Sequence, residues 1–68
     1  MIVFYARWQR NGAYGVQDTQ IIVQDGDDIG SPTVTTIRNG NVISKGVADI
    51  NEAMENVTDI IRRLGEGQ

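Results

Sequence analysis

The sequence predicts an α+β fold in which two β-hairpins form a small antiparallel sheet, β-β-β-β-α in order, packed on one face by a C-terminal helix. Residues 49–64 are the only long stretch with a helical period, and the runs upstream are strand-like and punctuated by turn residues, with Asn-Gly occurring twice. The 68 residues are expected to form a single domain spanning 1–68. A domain of this size buries only about 60% of the surface its unfolded chain exposes, so its stability is expected to be modest, roughly 3 to 10 kcal/mol. Docking on another protein or pairing with a second copy would add buried area, and a homodimer is the expected assembly.

The first strand is assigned to residues 2–10, where Ile2, Val3, Phe4, Tyr5 and Trp8 supply β-branched and aromatic side chains without a Gly or Pro. Asn11-Gly12 follows and has the chemistry of a two-residue type I′ turn, which needs positive φ at both central positions. Counting outward from it pairs Gln9 with Tyr14, Trp8 with Gly15, Arg7 with Val16, Phe4 with Thr19 and Ile2 with Ile21. In that register Ile2, Phe4, Ala6 and Trp8 share a face with Thr19 and Ile21 and are the better candidates for the face under the helix. Val3, Tyr5 and Arg7 share the other face with Tyr14 and Val16, which is itself semi-apolar.

The second strand is assigned to residues 13–24, and a turn-rich acidic loop over 25–32 carries Asp25, Asp27 and Asp28 among the breakers Gly26, Gly30 and Pro32. Residues 33–38 and 41–45 are two further strands joined by Asn39-Gly40. The helix is assigned to residues 50–64. Its apolar stripe is Ile50, Ala53, Met54, Val57, Ile60, Ile61 and Leu64; Asp49 caps the first turn, with Glu52 three residues on to reach back, and Gly65 is the expected stop. Arg62 and Arg63 sit favourably at the negative end of the helix dipole.

Composition narrows the function. With neither histidine nor cysteine, the commonest general base, the commonest metal ligand and the commonest thiol nucleophile are absent. Ser44 has only Lys45 beside it, on the opposite face of its strand, and no glycine pattern fits a phosphate-binding loop. No enzyme activity, cofactor or metal is expected. Asp25-Gly26-Asp27-Asp28-Ile29-Gly30 lacks the ligand spacing of a calcium-binding loop, so it reads as a solvated segment. No run is long and apolar enough for a membrane span or a signal peptide, and a soluble, cytoplasmic chain is expected.

The balance of 9 acidic and 6 basic residues, net −3, is unlike the basic footprint of most nucleic-acid binders. Tyr5, Arg7, Trp8 and Arg10 still mix basic and aromatic side chains, the vocabulary of single-strand binding and equally of protein-interface hot spots. The acidic-polar outer face of the helix, with Glu55 and Asp59, is either solvated or a second contact surface.

The segment Asp49-Ile50-Asn51-Glu52-Ala53-Met54-Glu55-Asn56, after a run of strands, resembles the helix entry of HicB-type antitoxin domains. It departs from that family where Gln24-Asp25-Gly26-Asp27 stands in place of a proline-containing segment. By size and charge the chain is similar to the small, cysteine-free inhibitors and antitoxins of phages and mobile elements. The expected function is therefore a non-enzymatic protein-binding module, an inhibitor, antitoxin-like factor or adaptor. Its candidate interface residues are Tyr5, Arg7, Trp8, Arg10, Tyr14, Arg38, Glu55 and Asp59. A nucleic-acid-binding module using Tyr5, Arg7, Trp8 and Arg10, and a self-associating structural protein pairing through an exposed strand edge, are the alternatives.

Overall fold

The computed structural model describes residues 1–13, 15–26 and 30–66, without the side chains of residues 64–66. Strands β1 (Ile2–Gly12), β2 (Gly15–Gln24), β3 (Thr33–Arg38) and β4 (Asn41–Gly46) form one open antiparallel sheet in the order β1-β2-β3-β4. Helix α1 (Ile50–Glu66) follows and packs against β3. This is the α+β layout the sequence predicts.

The first hairpin is longer than expected. Asn11 and Gly12 belong to β1, and Asn11 pairs with Val16 and Gly12 with Gly15, so the chain reverses after Gly12. Tyr14 lies outside the described residues. Trp8 accordingly pairs with Thr19 instead of Gly15, Arg7 with Gln20 and Phe4 with Val23, a register offset of four residues along β2. Burial explains the offset. A turn at Asn11-Gly12 would set Ile2 against Ile21 and leave Val23 beyond the start of β1, whereas the observed pairing puts Val23 beside Phe4, fully buried. Burying one such side chain contributes about 1.5–3 kcal/mol, more than the preference of one turn sequence over another.

An offset by an even number preserves the faces, so Phe4, Ala6 and Trp8 still lie on the side of Thr19 and Ile21. Ile2 does not. A bulge between Ile2 and Phe4 sets Ile2 opposite Gln24, on the other face, where it is exposed.

The second hairpin turns where its sequence predicts. Arg38 pairs with Asn41, and Asn39 and Gly40 take φ of 51° and 89°, the positive values of a type I′ turn. This turn is tied to β2 as well. The Asn39 amide donates to the Asp18 carbonyl at 2.9 Å, and the Asp18 amide donates to Asn39 Oδ1 at 2.9 Å.

In the connection after β2, the Asp25 amide donates to the Met1 carbonyl at 2.8 Å, and the Val47 amide donates to the carbonyl of buried Pro32 at 2.9 Å. A Cβ on Gly26 would overlap the backbone of Gly30 and Ser31, so the chain folds back at a point where only glycine fits. Asp27 and Asp28 lie outside the described residues.

Helix α1 starts as written in the sequence. The Glu52 amide donates to Asp49 Oδ1 at 2.9 Å, and the Glu52 carboxylate accepts from the Ala48 amide at 2.8 Å, one residue earlier than in the simplest capping box. The helix continues through Gly65 to Glu66, past the expected stop, because a glycine in a last turn can stay helical and ends vary by a residue or so. Ala53 and Val57 pack on Ile21, Val23, Val34 and Val47, with Phe4, Trp8, Ile50 and Ile60 closing around them. Ile61 falls outside this stripe and is exposed.

The two Asn-Gly sequences are therefore expected to respond differently to substitution. Gly40→Ala places a side chain at positive φ and is expected to cost about 1 kcal/mol or more. Gly12→Ala meets only ordinary contacts, the Gly15 carbonyl oxygen at 3.6 Å being the nearest, and is expected to change stability by under about 0.5 kcal/mol. Urea unfolding of both variants reads the difference; equal losses would place a positive-φ turn at Gly12 and contradict the observed register.

Candidate functional site

The alternation of side chains along paired strands divides the candidate interface residues among three surfaces. Trp8, Arg10 and Arg38 lie on the face toward the helix, Tyr5 and Arg7 on the opposite, open face, and Glu55 and Asp59 on the outer side of α1. Tyr14, the eighth candidate, lies outside the described residues. The structure thus does not gather the set into one site.

The open face is uncovered. Successive pairings place Tyr5 beside Ile22 and Ile37 beside Val42, and Ile22 and Ile37 are diagonal neighbours, since Ile22 pairs with Thr35. An apolar band therefore runs obliquely across all four strands. Tyr5 is 52% and Val42 63% exposed, too open for either to count as core. Polar pairs flank the band, and one of them fixes Tyr5. The Tyr5 hydroxyl donates to Gln20 Oε1 at 3.0 Å, and the Thr35 and Ser44 hydroxyls lie 3.0 Å apart.

Arg7 binds Asp18 with both arms, Nε to Oδ1 at 3.2 Å and Nη2 to Oδ2 at 2.9 Å. This hydrogen-bonded pairing, and after it the charge of Asp18, raises the Arg7 pKa above its already high ordinary value, so the guanidinium stays charged at any accessible pH. Asp18 is the node of this end of the sheet, because its backbone also carries both bonds to Asn39.

On the helix side, Trp8 is half-buried and packs against the core, which assigns it to structure more than to contact. Beyond it a cleft of about 390 Å³ opens between the sheet and the C-terminal half of α1, bordered by Arg10, Arg38 and Arg63. On the outer side of α1, Glu55, Asp59 and Arg62 flank a shallow depression with Met54, where the Thr58 hydroxyl donates to the Met54 carbonyl at 2.9 Å. Glu55, Asp59 and Arg62 are all exposed there.

Ile22, Ile37 and Val42 of the open face, and Arg63 of the cleft, are not among the candidate interface residues read from the sequence. Counting outward from Asn39-Gly40 gives the pairs 38 with 41 and 37 with 42, which would have located Ile37 and Val42. Arg63 shows no such signal, since its nearness to Arg10 and Arg38 depends on how the helix crosses the sheet.

Among the described residues no group of three or more acidic, His or Cys side chains is placed to hold a metal ion, and no described helix is long and apolar enough to cross a membrane. No family model, curated protein or solved structure matches the chain. The likeness of the helix entry to HicB-type domains therefore carries no family assignment.

Trp8→Ala is expected to destabilise the fold by about 2 kcal/mol, less than a fully buried aromatic would because part of the ring is already in water. Tyr5→Ala is expected to cost well under half of that. Thermal unfolding of the two variants distinguishes core from surface, and an unchanged midpoint for Trp8→Ala would return Trp8 to the interface set.

Proposed function

We propose that the chain is a non-enzymatic protein-binding module that acts by occupying a partner protein's surface with the open face of its sheet. The observation that carries this reading is the oblique band of Tyr5, Ile22, Ile37 and Val42, exposed at both ends and flanked by the fixed Arg7–Asp18 pair. Tyr and Arg are enriched at interface hot spots, and side chains already held by hydrogen bonds lose less entropy on binding. A thin core with one sheet face left bare gains stability when that face is covered.

The action would be that of an inhibitor, an antitoxin-like factor or an adaptor, in a cytoplasmic setting. Self-association belongs to the same proposal: β4 is an edge strand whose six residues are all exposed, and edges of this kind pair with a second copy across a two-fold. The nucleic-acid alternative is weakened by the geometry. Tyr5 and Arg7 face one side of the sheet and Trp8 and Arg10 the other, so the four do not form one stacking platform.

The test is size-exclusion chromatography with light scattering on the purified chain, alone and with nuclease-treated host lysate, followed by mass spectrometry of any shifted peak. One host protein is expected in a stoichiometric complex. Val42→Asp and Tyr5→Ala are expected to weaken that complex roughly tenfold or more, the size of one hot-spot residue, with the unfolding midpoint little changed. Glu55→Lys on the helix should leave it intact. Loss of the complex with Glu55→Lys, but not with the sheet variants, would move the interface to the helix and overturn the assignment.

A further inference from the structure

We propose that two copies of the chain join β4 to β4 across a two-fold axis through Ile43, so that their sheets become one continuous antiparallel sheet. The inference rests on the self-association included in the reading above and supplies its strand and its register. The sheet has two edges, and they differ. β1 carries a bulge between Ile2 and Phe4 and the charges of Arg7 and Arg10, devices that keep an edge from pairing. β4 pairs with β3 in unbroken register and carries one charge, Lys45, whose Nζ donates to Asn56 Oδ1 at 3.4 Å and so leans toward the helix instead of over the edge. Its two branched side chains, Val42 and Ile43, are both well exposed, Ile43 at 67%.

The type I′ turn decides which backbone groups this edge offers. Arg38 and Asn41 close a two-residue turn and exchange both of their hydrogen bonds, and the alternation of an antiparallel ladder repeats this at the Thr36–Ile43 and Val34–Lys45 pairs. Val42, Ser44 and Gly46 therefore direct their N–H and C=O groups outward, and among the described residues no strand lies beyond them. A second β4 satisfies these groups only in registers that set the three residues against one another. A two-fold through Lys45 opposes like charges, one through Ser44 sets Ile43 against Lys45, and one through Val42 overlaps little more than Asn41 to Ile43. A two-fold through Ile43 sets Ile43 against the partner's Ile43, at a non-hydrogen-bonded position where side chains come closest, and Val42 against the partner's Ser44. Val42 is then diagonal to the partner's Val42, and the open-face band runs on from one sheet to the other.

The helices fit the same axis. Each α1 packs on β3, so the two lie about 14 Å apart, three strand spacings. Asn56 contacts Lys45, and Ile60 and Arg63 border the cleft with Ile43 and Arg38, so α1 runs from the Gly46 end of β4 toward its Asn41 end. The two-fold reverses that direction in the partner. Glu52, in the first turn of each helix, thus faces the end of the joint where the other helix carries Arg63 in its last turn, which sets opposite charges at both ends.

The experiment is sedimentation equilibrium of the purified full chain over a concentration series up to millimolar, together with oxidation of single-cysteine variants in a chain that has no cysteine of its own. A short edge makes a small interface, so a concentration-dependent equilibrium between monomer and dimer is expected. Ile43→Lys sets two lysines opposite each other and is expected to weaken the dimer roughly tenfold or more, with the unfolding midpoint little changed because Ile43 is exposed. Ile43→Cys is expected to cross-link on oxidation faster than Ser44→Cys or, away from the edge, Val16→Cys. Tyr5→Ala should leave the dimer as it is. A chain that dimerises but captures no host protein therefore refutes only the open-face reading, and a monomer that captures one refutes only this pairing. A monomer throughout the series, a dimer indifferent to Ile43→Lys, faster linking through Ser44→Cys or Val16→Cys, or a mass that grows past the dimer, as open-ended pairing of β4 with β1 produces, would each overturn the proposal.

Discussion

The burial of Ile21 and Val23 beneath the helix is the constraint on which the remaining geometry depends. They are the largest fully buried side chains among the described residues, and Val34, Val47, Ala53 and Val57 close over them. To bring Val23 under cover, β2 must slide along β1 until Val23 meets Phe4 and Ile21 meets Ala6. That one choice of register then places Asp18 where it can take Arg7 with its carboxylate and Asn39 with its backbone. Core packing at one end of the sheet thus determines polar organisation at the other, because a strand cannot be shifted in one part only without a bulge.

The same constraint separates what could be read in the sequence from what could not. The helix was legible because its cap residues and its stripe are local: Asp49, Glu52, Ala53 and Val57 act within a few turns of one another. The Asn39-Gly40 turn was legible because nothing distant competes with it. Asn11-Gly12 has the same local chemistry and does not turn, since the gain from burying Val23 outweighs it. Parity survived the slip, which is why Phe4, Ala6 and Trp8 appear on the expected face while Ile2, displaced by a bulge, does not. Of the candidate site, exposure of Tyr5, Arg7 and Arg38 was legible, but their distribution over opposite faces depends on strand pairing and on the path of the helix.

One helix against four strands also explains why the two faces differ so sharply. Alternation puts every second residue of each strand on each side, and the helix covers only one. On that side Thr19, Ile21, Val23 and Val34 are buried; on the other, Tyr5, Val16 and Val42 are exposed. Purely polar residues on the open face would satisfy solubility, and the retention of aromatic and branched side chains there works against it. The proposed covering of that face would remove the conflict.

The cleft arises from a different mismatch. The β1–β2 hairpin extends beyond β3 and β4, so its far end, including Arg10 and Gln17, has no strand from the second hairpin alongside it. The helix packs against β3 and reaches this region with its C-terminal half, near Ile60 and Arg63. Residues from three elements therefore meet around a space that none of them fills. Asp18 lies at this same end, with its carboxylate on Arg7 of the open face and its backbone on Asn39, the residue after Arg38. The positions of an open-face arginine and of a cleft arginine thus depend on one residue, and the sheet is thin enough that a single set of hydrogen bonds serves both of its surfaces.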